Sequence, residues 1–329
     1  MSRIVEFTSY GAPDVLKFKE VLDPQPGAGE VSIRVKAIGL NRAESMWRHG
    51  EYIEPVKLPA RLGYEAAGTV EALGKGVAGF KIGEPVNVIP NFSMNEYATY
   101  GDLIVMPATS VVIQPASLSF VEGASIWMMF VTAYSALVED AKVTKGDFVI
   151  VPAASSSVGL AAIQITNYAG GASIALTRTS EKREQLLGAG AMHVIATGEA
   201  DLVQEVMRIT NGKGARVAFD PVGGPNFPKL ISALAPQGIV YIYGALSEGV
   251  TPLPVLEMIA KMPTIKGHNI WLTSGDPEKL KAAVVYIRHG FEDGKLKPVI
   301  DRTFPFGEIV EAHRYLETSG QFGKIVAVL

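Results

Sequence analysis

The sequence predicts a mixed α/β fold, in which a β-rich domain is combined with a doubly wound domain built on a parallel sheet. Three observations predict it. Between residues 147 and 267, strand and helix patterns alternate regularly. The first 120 residues are punctuated by closely spaced turn formers. The last 60 return to short strand-like and helical segments, which are expected to rejoin the β-rich domain. A chain of 329 residues is long enough for two ordinary domains. The expected division is 1–126 with 270–329 for the β-rich domain, and 127–269 for the doubly wound one.

The β-rich reading rests on the strand-like alternation of VSIRVKAIGL and on turn residues such as Pro24, Gly27, Gly50, Pro55, Gly63, Gly68, Gly76 and Gly83. Short strands and frequent turns predict an antiparallel, barrel-like arrangement. Near residue 120 the character changes. Leu118 to Ala136 is a mostly apolar stretch of helical length. DFVIVPA (147–153) then reads as a buried strand and 157–169 as a helix. SIALT (173–177), a helix at 181–188, MHVIA (192–196) and a helix at 201–210 continue the beat. RVAFD (216–220), a helix at 227–234, IVYIYG (239–244), a helix at 255–261 and TIKG (264–267) complete it. Six strands separated by helices imply right-handed crossovers and a sheet covered on both faces. Helices at 277–289 and 307–318, the strand-like VIDRTFPF and a final strand, GKIVAVL, close the chain.

Composition excludes several classes. Hydrophobic residues make up 48% of the chain, too many for a disordered protein. A net charge of −3 gives no basic balance for nucleic acid or an anionic membrane. No run of 18 apolar residues is present, and the N-terminus MSRIVEFTSYG lacks the features of a signal peptide. The expected location is cytoplasmic. There is no cysteine, so disulfides, thiolate catalysis and Cys-containing zinc sites are out.

The loop Ala153-Ala154-Ser155-Ser156-Ser157-Val158-Gly159 lies between a strand and a helix, where backbone N–H groups and the helix dipole favour a pyrophosphate. Of the three glycines in G-x-G-x-x-G, only the last survives, as Gly159. Ser155, Ser156 and Ser157 offer hydroxyls in place of the missing close approach. A serine here also serves as an ordinary helix N-cap. Nineteen residues after Gly159, where NAD enzymes carry an acid, stands Arg178, within Thr177-Arg178-Thr179-Ser180-Glu181-Lys182. Arg178 and Lys182 with the hydroxyls of Thr177 and Thr179 suit a 2′-phosphate and so NADPH, while Ser180 also reads as an N-cap. Val222 after the fourth strand, Gly244 and Ala245 after the fifth, and Asn269 after the sixth lie at carboxyl strand ends, where this fold binds ligands.

The segments GLNRAESMWRHGEY, LGYEAAGTVEALGKGVAGFKIGEPV, TAYSAL, AASSSVGLAAIQ and GKIVAVL, in this order, resemble the landmarks of medium-chain dehydrogenase/reductases along the whole chain. The resemblance implies a GroES-like catalytic domain formed from both chain ends, an inserted Rossmann NADP-binding domain, an active site in the cleft between them, and a homodimer joined through the nucleotide-binding sheets. It also implies that Thr132 contacts the cofactor. The zinc-binding relatives carry Cys where Asn41 stands and His where Tyr64 stands. With Gly63-Tyr64-Glu65 for the usual triplet and no Cys-rich lobe, the chain resembles the zinc-free quinone oxidoreductase branch, and no metal is expected.

Without a Lewis acid, hydride transfer to an already electrophilic quinone or α,β-unsaturated carbonyl is the easier task. By the resemblance, Asn41 lies near the nicotinamide and orients the ring or the acceptor carbonyl. Tyr52 and Tyr64 are the candidate donors to the product anion. Trp127, Met128, Met129 and Phe130, with Met94, Trp47 and Trp271, line an apolar or aromatic acceptor site or else fill the core. The alternatives are a reductase of enoyl thioesters or other double bonds, and, in a different class, a non-catalytic NADPH-binding, crystallin-like or RNA-binding protein.

Overall fold

The computed structural model describes all 329 residues. They form two compact units, Met1–Met128 with Pro298–Leu329, and Met129–Lys297. The last 32 residues therefore rejoin the first unit. The helix at Pro277–Glu292, by contrast, belongs to the second. The division expected at residue 270 thus falls at 297. The reason is packing: Tyr286 meets Tyr134 and Tyr168, Phe291 meets Phe130, and the Lys297 backbone exchanges two hydrogen bonds with the Gln164 amide.

The second unit holds a six-stranded sheet in the order His193–Ala196, Ala172–Thr177, Phe148–Val151, Ala215–Asp220, Leu234–Ile242, Thr264–Gly267. Every pairing is parallel. This 3-2-1-4-5-6 order is that of a doubly wound sheet, with a switch point beside the first strand. All six strands agree with the alternation in the sequence. Ile150, Ile174, Val206, Phe227, Ile231 and Val240 anchor a core with no more than 1% of their surface exposed. The expected helix at 181–188 starts instead as a 3-10 turn, Ser180–Lys182, before Arg183–Gly188.

In the first unit, Glu30–Gly39 is the central strand. It pairs antiparallel with Glu65–Leu73, with Leu103–Pro107 and with the C-terminal Lys324–Val328. Pro85–Val88 and Val111–Ile113 extend one side. On the other side Ile300–Pro305 joins Lys324–Val328 in parallel, the one departure from the antiparallel expectation in this sheet. A smaller sheet pairs Ser2–Phe7 with Lys17–Val21 and Ala60–Arg61. The long apolar stretch after residue 118 is not one helix. It breaks into Phe120–Gly123 and Trp127–Tyr134, and then widens into a π-helix, Ser135–Asp140. The break has a cause: the N–H groups of Ile126, Trp127 and Met128 all donate to Oε1 of Glu65, which starts a new helix there.

Candidate active site

Candidate residues lie in both units. In the second, Phe148–Val151 feeds a turn in which Ala153 takes a left-handed φ of 46°, and the helix Ser157–Tyr168 follows. Gly159 packs so tightly that a Cβ there would lie 2.6 Å from the Ala153 carbonyl oxygen and 2.8 Å from the Ala154 Cα. This is the close helix-to-strand approach that the last glycine of the fingerprint permits. The N-cap is Ser156, whose Oγ accepts the Gly159 N–H at 3.1 Å. Its oxygen is thereby engaged with the helix, and only its hydroxyl proton remains to donate. Ser155, Ser157 and Val158 are half-buried around this helix end.

Lys182 crosses to the same loop, its Nζ donating to Ser155 Oγ at 3.4 Å. Arg178 and Thr179 are exposed at the end of the second strand, and Thr177 is half-buried beside them. The turn is held by its neighbour: Thr197 Oγ1 donates to the Thr177 carbonyl, and Glu199 accepts the Ser180 N–H at 2.7 Å. The Ser180 side chain therefore does not cap this turn. Thr179 precedes it, and Glu199 satisfies the free amide. The carboxyl ends of two neighbouring strands thus carry a helix N-terminus, three serines and the Lys182 ammonium, with exposed Arg178 on the second of them, a set of groups that fits a phosphorylated dinucleotide.

At the other carboxyl strand ends, buried Asp220 accepts the N–H groups of Val222 and Gly223. Burial raises its pKa above the usual carboxylate value, although these bonds oppose the shift. Gly244 allows no Cβ, which would lie 2.9 Å from the Pro221 carbonyl oxygen. Ala245 is exposed, and Asn269 Oδ1 is engaged by the Trp271 N–H. Thr132 is buried, and its carbonyl faces His268 Nε2 at 3.1 Å. The sequence reading missed Tyr243. Its ring stacks on Phe219 at 4.0 Å, and its hydroxyl is buried without a hydrogen-bond partner.

In the first unit, Asn41 precedes the helix Arg42–His49. Glu44 accepts the Asn41 N–H at 2.8 Å, one arm of a capping box. The Asn41 side chain is fully committed. Its Nδ2 faces the Gly39 carbonyl and Glu44 Oε1, and its Oδ1 accepts from Lys324 Nζ at 2.6 Å. The same ammonium lies 2.6 Å from Glu65 Oε2, and both charged side chains are wholly buried. Both amide hydrogens are therefore spent. The side chain is thus a node that joins the end of the strand, the helix start and Lys324. Glu44 also accepts from the Tyr64 N–H and from the Tyr100 hydroxyl, which in turn meets buried His313 at 3.1 Å. Lys324 and Glu65 were missed as well, although each is a lone charge inside an apolar strand pattern, a signal that could have marked them.

Tyr64 is buried, with 1% of its surface exposed, and stands in a row of rings: Trp47 against Tyr52, Tyr52 against Tyr64 at 6.2 Å, and Tyr64 against Phe92 at 5.6 Å. Its hydroxyl is sealed and meets no acceptor at full hydrogen-bond geometry, but the Tyr52 phenol lies close enough to act as a loose hydrogen-bonding neighbour. Burial raises the pKa of Tyr64 far above that of a free phenol and raises that of Tyr52 too. Trp127, Met129, Phe130, Met94 and Trp47 are core, each with at most 2% exposed.

Two family models match: an alcohol dehydrogenase GroES-like domain over residues 27–115, and a zinc-binding dehydrogenase domain over 157–285. Human quinone oxidoreductase is 32% identical over all of this chain and 98% of its own length. The rat synaptic vesicle membrane protein VAT-1 homolog is 28% identical over 99% of the chain and 84% of its own. The chain belongs to the medium-chain dehydrogenase/reductase family, in its quinone oxidoreductase-like branch. Among solved members, an NAD-dependent alcohol dehydrogenase superposes with a TM-score of 0.89 at 32% identity, covering 99% of both chains. The Escherichia coli quinone oxidoreductase, solved with NADPH, superposes at 0.90 with 28% identity and full coverage of both. These relatives make this medium-chain dehydrogenase/reductase an oxidoreductase with a GroES-like and a Rossmann domain. The positions of the family's zinc ligands hold a committed amide and a phenol, beside the buried Lys324 ammonium. That donor set does not suit a divalent cation, and no three His, Asp or Glu side chains are grouped to hold one.

Proposed function

We propose that the protein is a zinc-independent, NADPH-dependent reductase of quinones or α,β-unsaturated carbonyls. The observation that carries this reading is the meeting of Lys182 with Ser155, beside Arg178 and the helix N-terminus of Gly159. Positive charge beside a helix N-terminus supports a site for a 2′-phosphate and a pyrophosphate, as does the lack of an acid at the position of the ribose-binding residue.

Bound NADPH would supply the hydride. The protein's part is to bind, orient and stabilise charge. Residues 155–159, 177–179 and 182, with Thr132, Val222, Gly244, Ala245 and Asn269, are proposed to hold the nucleotide. Tyr64 is the proposed donor to the oxygen that becomes anionic on the acceptor. Its raised pKa keeps it protonated at neutral pH, and an acceptor oxygen arriving beside it would take its O–H in place of the loose contact with Tyr52. Tyr52, half-buried against it, is the second candidate and the nearer route for a proton to solvent. A double-bond reductase would use the same groups with a different acceptor.

A homodimer is part of the proposal. The strand Thr264–Gly267 is paired on one side only. Next to it in sequence, Val250, Leu253, Val255, Leu256, Ile259 and Met262 are all more than half exposed, Leu256 by 84%. An open strand edge beside so much bare apolar surface favours a second copy as its cover. No helix is long and apolar enough to cross a membrane. The cytoplasmic location read from the sequence belongs to the same proposal.

The test is titration of the purified protein with NADPH and NADH separately, followed by a panel of quinones, enones and enoyl thioesters. Binding of NADPH at least about tenfold tighter, equal to about 1.4 kcal/mol, with oxidation by a quinone or enone, is the expected result. Binding of neither nucleotide would move the chain to the non-catalytic reading.

A further inference from the structure

The first unit carries one more recess, of about 110 Å³, lined by Lys57, Pro59, Ala60, Arg61 and the segment 94–98. That is room for several waters or for one tetrahedral or planar oxyanion. Its wall contains an anomaly. Arg61 Nε and Nη2 are sealed from solvent, and neither has a hydrogen-bond partner. Arg3 is held by Asp102, Arg34 by Glu71, and Arg42 by Ser319 and the Leu316 carbonyl; Arg48 leaves its Nε unpaired but both of its terminal nitrogens meet acceptors, Glu317 and the Gly11 carbonyl.

Arg61 lies opposite Glu6 across the strand pair, but Glu6 is engaged by Lys19. Glu6 therefore acts on Arg61 only through its charge at a distance. Burial is the dominant influence and pulls the guanidinium pKa below its ordinary value. A half-buried guanidinium with two of its three nitrogens shut off from water and without acceptors is costly, and a forked pair of N–H donors matches a carboxylate or phosphate edge. Lys57, exposed on the same recess, adds a second positive charge. The other polar groups do not compete for it. The Asn95 amide is spent on Glu54 and the Pro55 carbonyl, and the Tyr97 hydroxyl is spent on Glu30. Glu96 is the only carboxylate along the lining and is solvent-exposed, where its repulsion is screened.

We propose that this recess binds one oxyanionic group, a phosphate or a carboxylate, with Arg61 as its anchor and Lys57 as its second contact. Arg61 is three residues before Tyr64, and Met94 both lines the recess and accepts the Gly63 N–H at 3.3 Å. The anion would therefore sit next in sequence to the proposed acceptor site. It can arrive as part of an acceptor or as a free ion.

Thermal unfolding of the whole protein is followed against inorganic phosphate, at ionic strength held constant with chloride. Wild type should show a saturable rise in midpoint. The apparent affinity should fall at least about tenfold in Arg61→Gln, which keeps the backbone carbonyl that Trp47 uses, and several-fold in Lys57→Ala, an exposed site that does not threaten folding. Arg178→Ala removes phosphate binding at the nucleotide loop from the signal, and the part of the response that it retains is assigned to the recess. In a second arm, quinones with and without a carboxylate substituent are compared. Loss of kcat/KM in Arg61→Gln for the carboxylated quinone alone supports an acceptor-borne anion. Loss of phosphate binding alone supports a free one. Responses to phosphate and to both quinones that are unchanged by Arg61→Gln and Lys57→Ala overturn the proposal. The phosphate arm does not depend on the reductase reading, so failure of one leaves the other standing.

Discussion

Lys324 Nζ, on the last strand, lies 2.6 Å from Asn41 Oδ1, on the loop after the third strand, and the same ammonium lies 2.6 Å from Glu65. One buried cation thus joins the C-terminal strand to the loop that opens the helix Arg42–His49 and to the carboxylate that starts the helix at Trp127. Lys324→Met removes it and leaves a buried carboxylate without its counter-ion. Denaturant unfolding should show a loss of about 3–5 kcal/mol. Adding Glu65→Gln should recover part of that loss, because the remaining group is neutral, although it then serves the helix N–H groups less well.

Arg178→Ala should weaken NADPH binding by about tenfold or more and leave NADH binding nearly unchanged, since a guanidinium-to-phosphate contact exists only for NADPH. Lys182→Ala should do the same to a smaller extent. Fluorescence titration of each variant with both nucleotides checks this. Equal losses for the two nucleotides would count against the assignment of the 2′-phosphate.

Tyr64→Phe separates activity from stability. The hydroxyl is buried with only the Tyr52 phenol loosely beside it, so its removal should change stability by no more than about 1 kcal/mol. The kcat/KM should fall by about ten- to a hundredfold if the hydroxyl stabilises charge on the acceptor. A variant that unfolds earlier and keeps its turnover would make Tyr64 an ordinary core residue.

His313 is buried, and its pKa is pushed down to about 3 by burial and by the nearby Arg48 guanidinium. The unfolded chain binds a proton at this residue near pH 6.5, and the folded chain refuses it. Stability from His313 is therefore complete above about pH 6.5 and is lost as pH falls toward 3, on the order of 1.4 kcal/mol for each pH unit crossed. Buried Glu44 works in the opposite direction, since its pKa is raised and the folded state takes up its proton early. Unfolding free energy measured between pH 7 and pH 4 should fall steeply in wild type, and the slope should flatten in His313→Gln.

Leu256→Lys or Ile259→Lys places a charge in the exposed apolar surface beside the open strand. If that surface joins two copies, either variant should shift sedimentation from dimer to monomer while the nucleotide loop still binds NADPH. A monomeric wild type would remove the homodimer from the proposal.

The sequence by itself determined the six parallel strands, the position of the nucleotide loop, the single surviving glycine and the substitutions at the zinc-ligand positions. It could do so because these are local: hydrophobic period, turn chemistry and residue type at a short spacing are written in neighbouring residues. Tertiary structure alone decided that Asn41 is held by Lys324, which is 283 positions away. It also decided that Glu65 breaks the apolar stretch after residue 118 by capping Trp127, that the Tyr64 hydroxyl is left with only a loose contact to Tyr52 while Tyr100 finds Glu44, and that the helix Pro277–Glu292 packs with the second unit. Each depends on which distant side chain reaches a buried group first. No local period encodes that choice, and the need to satisfy buried charge and hydrogen bonds settles it only once the chain has folded.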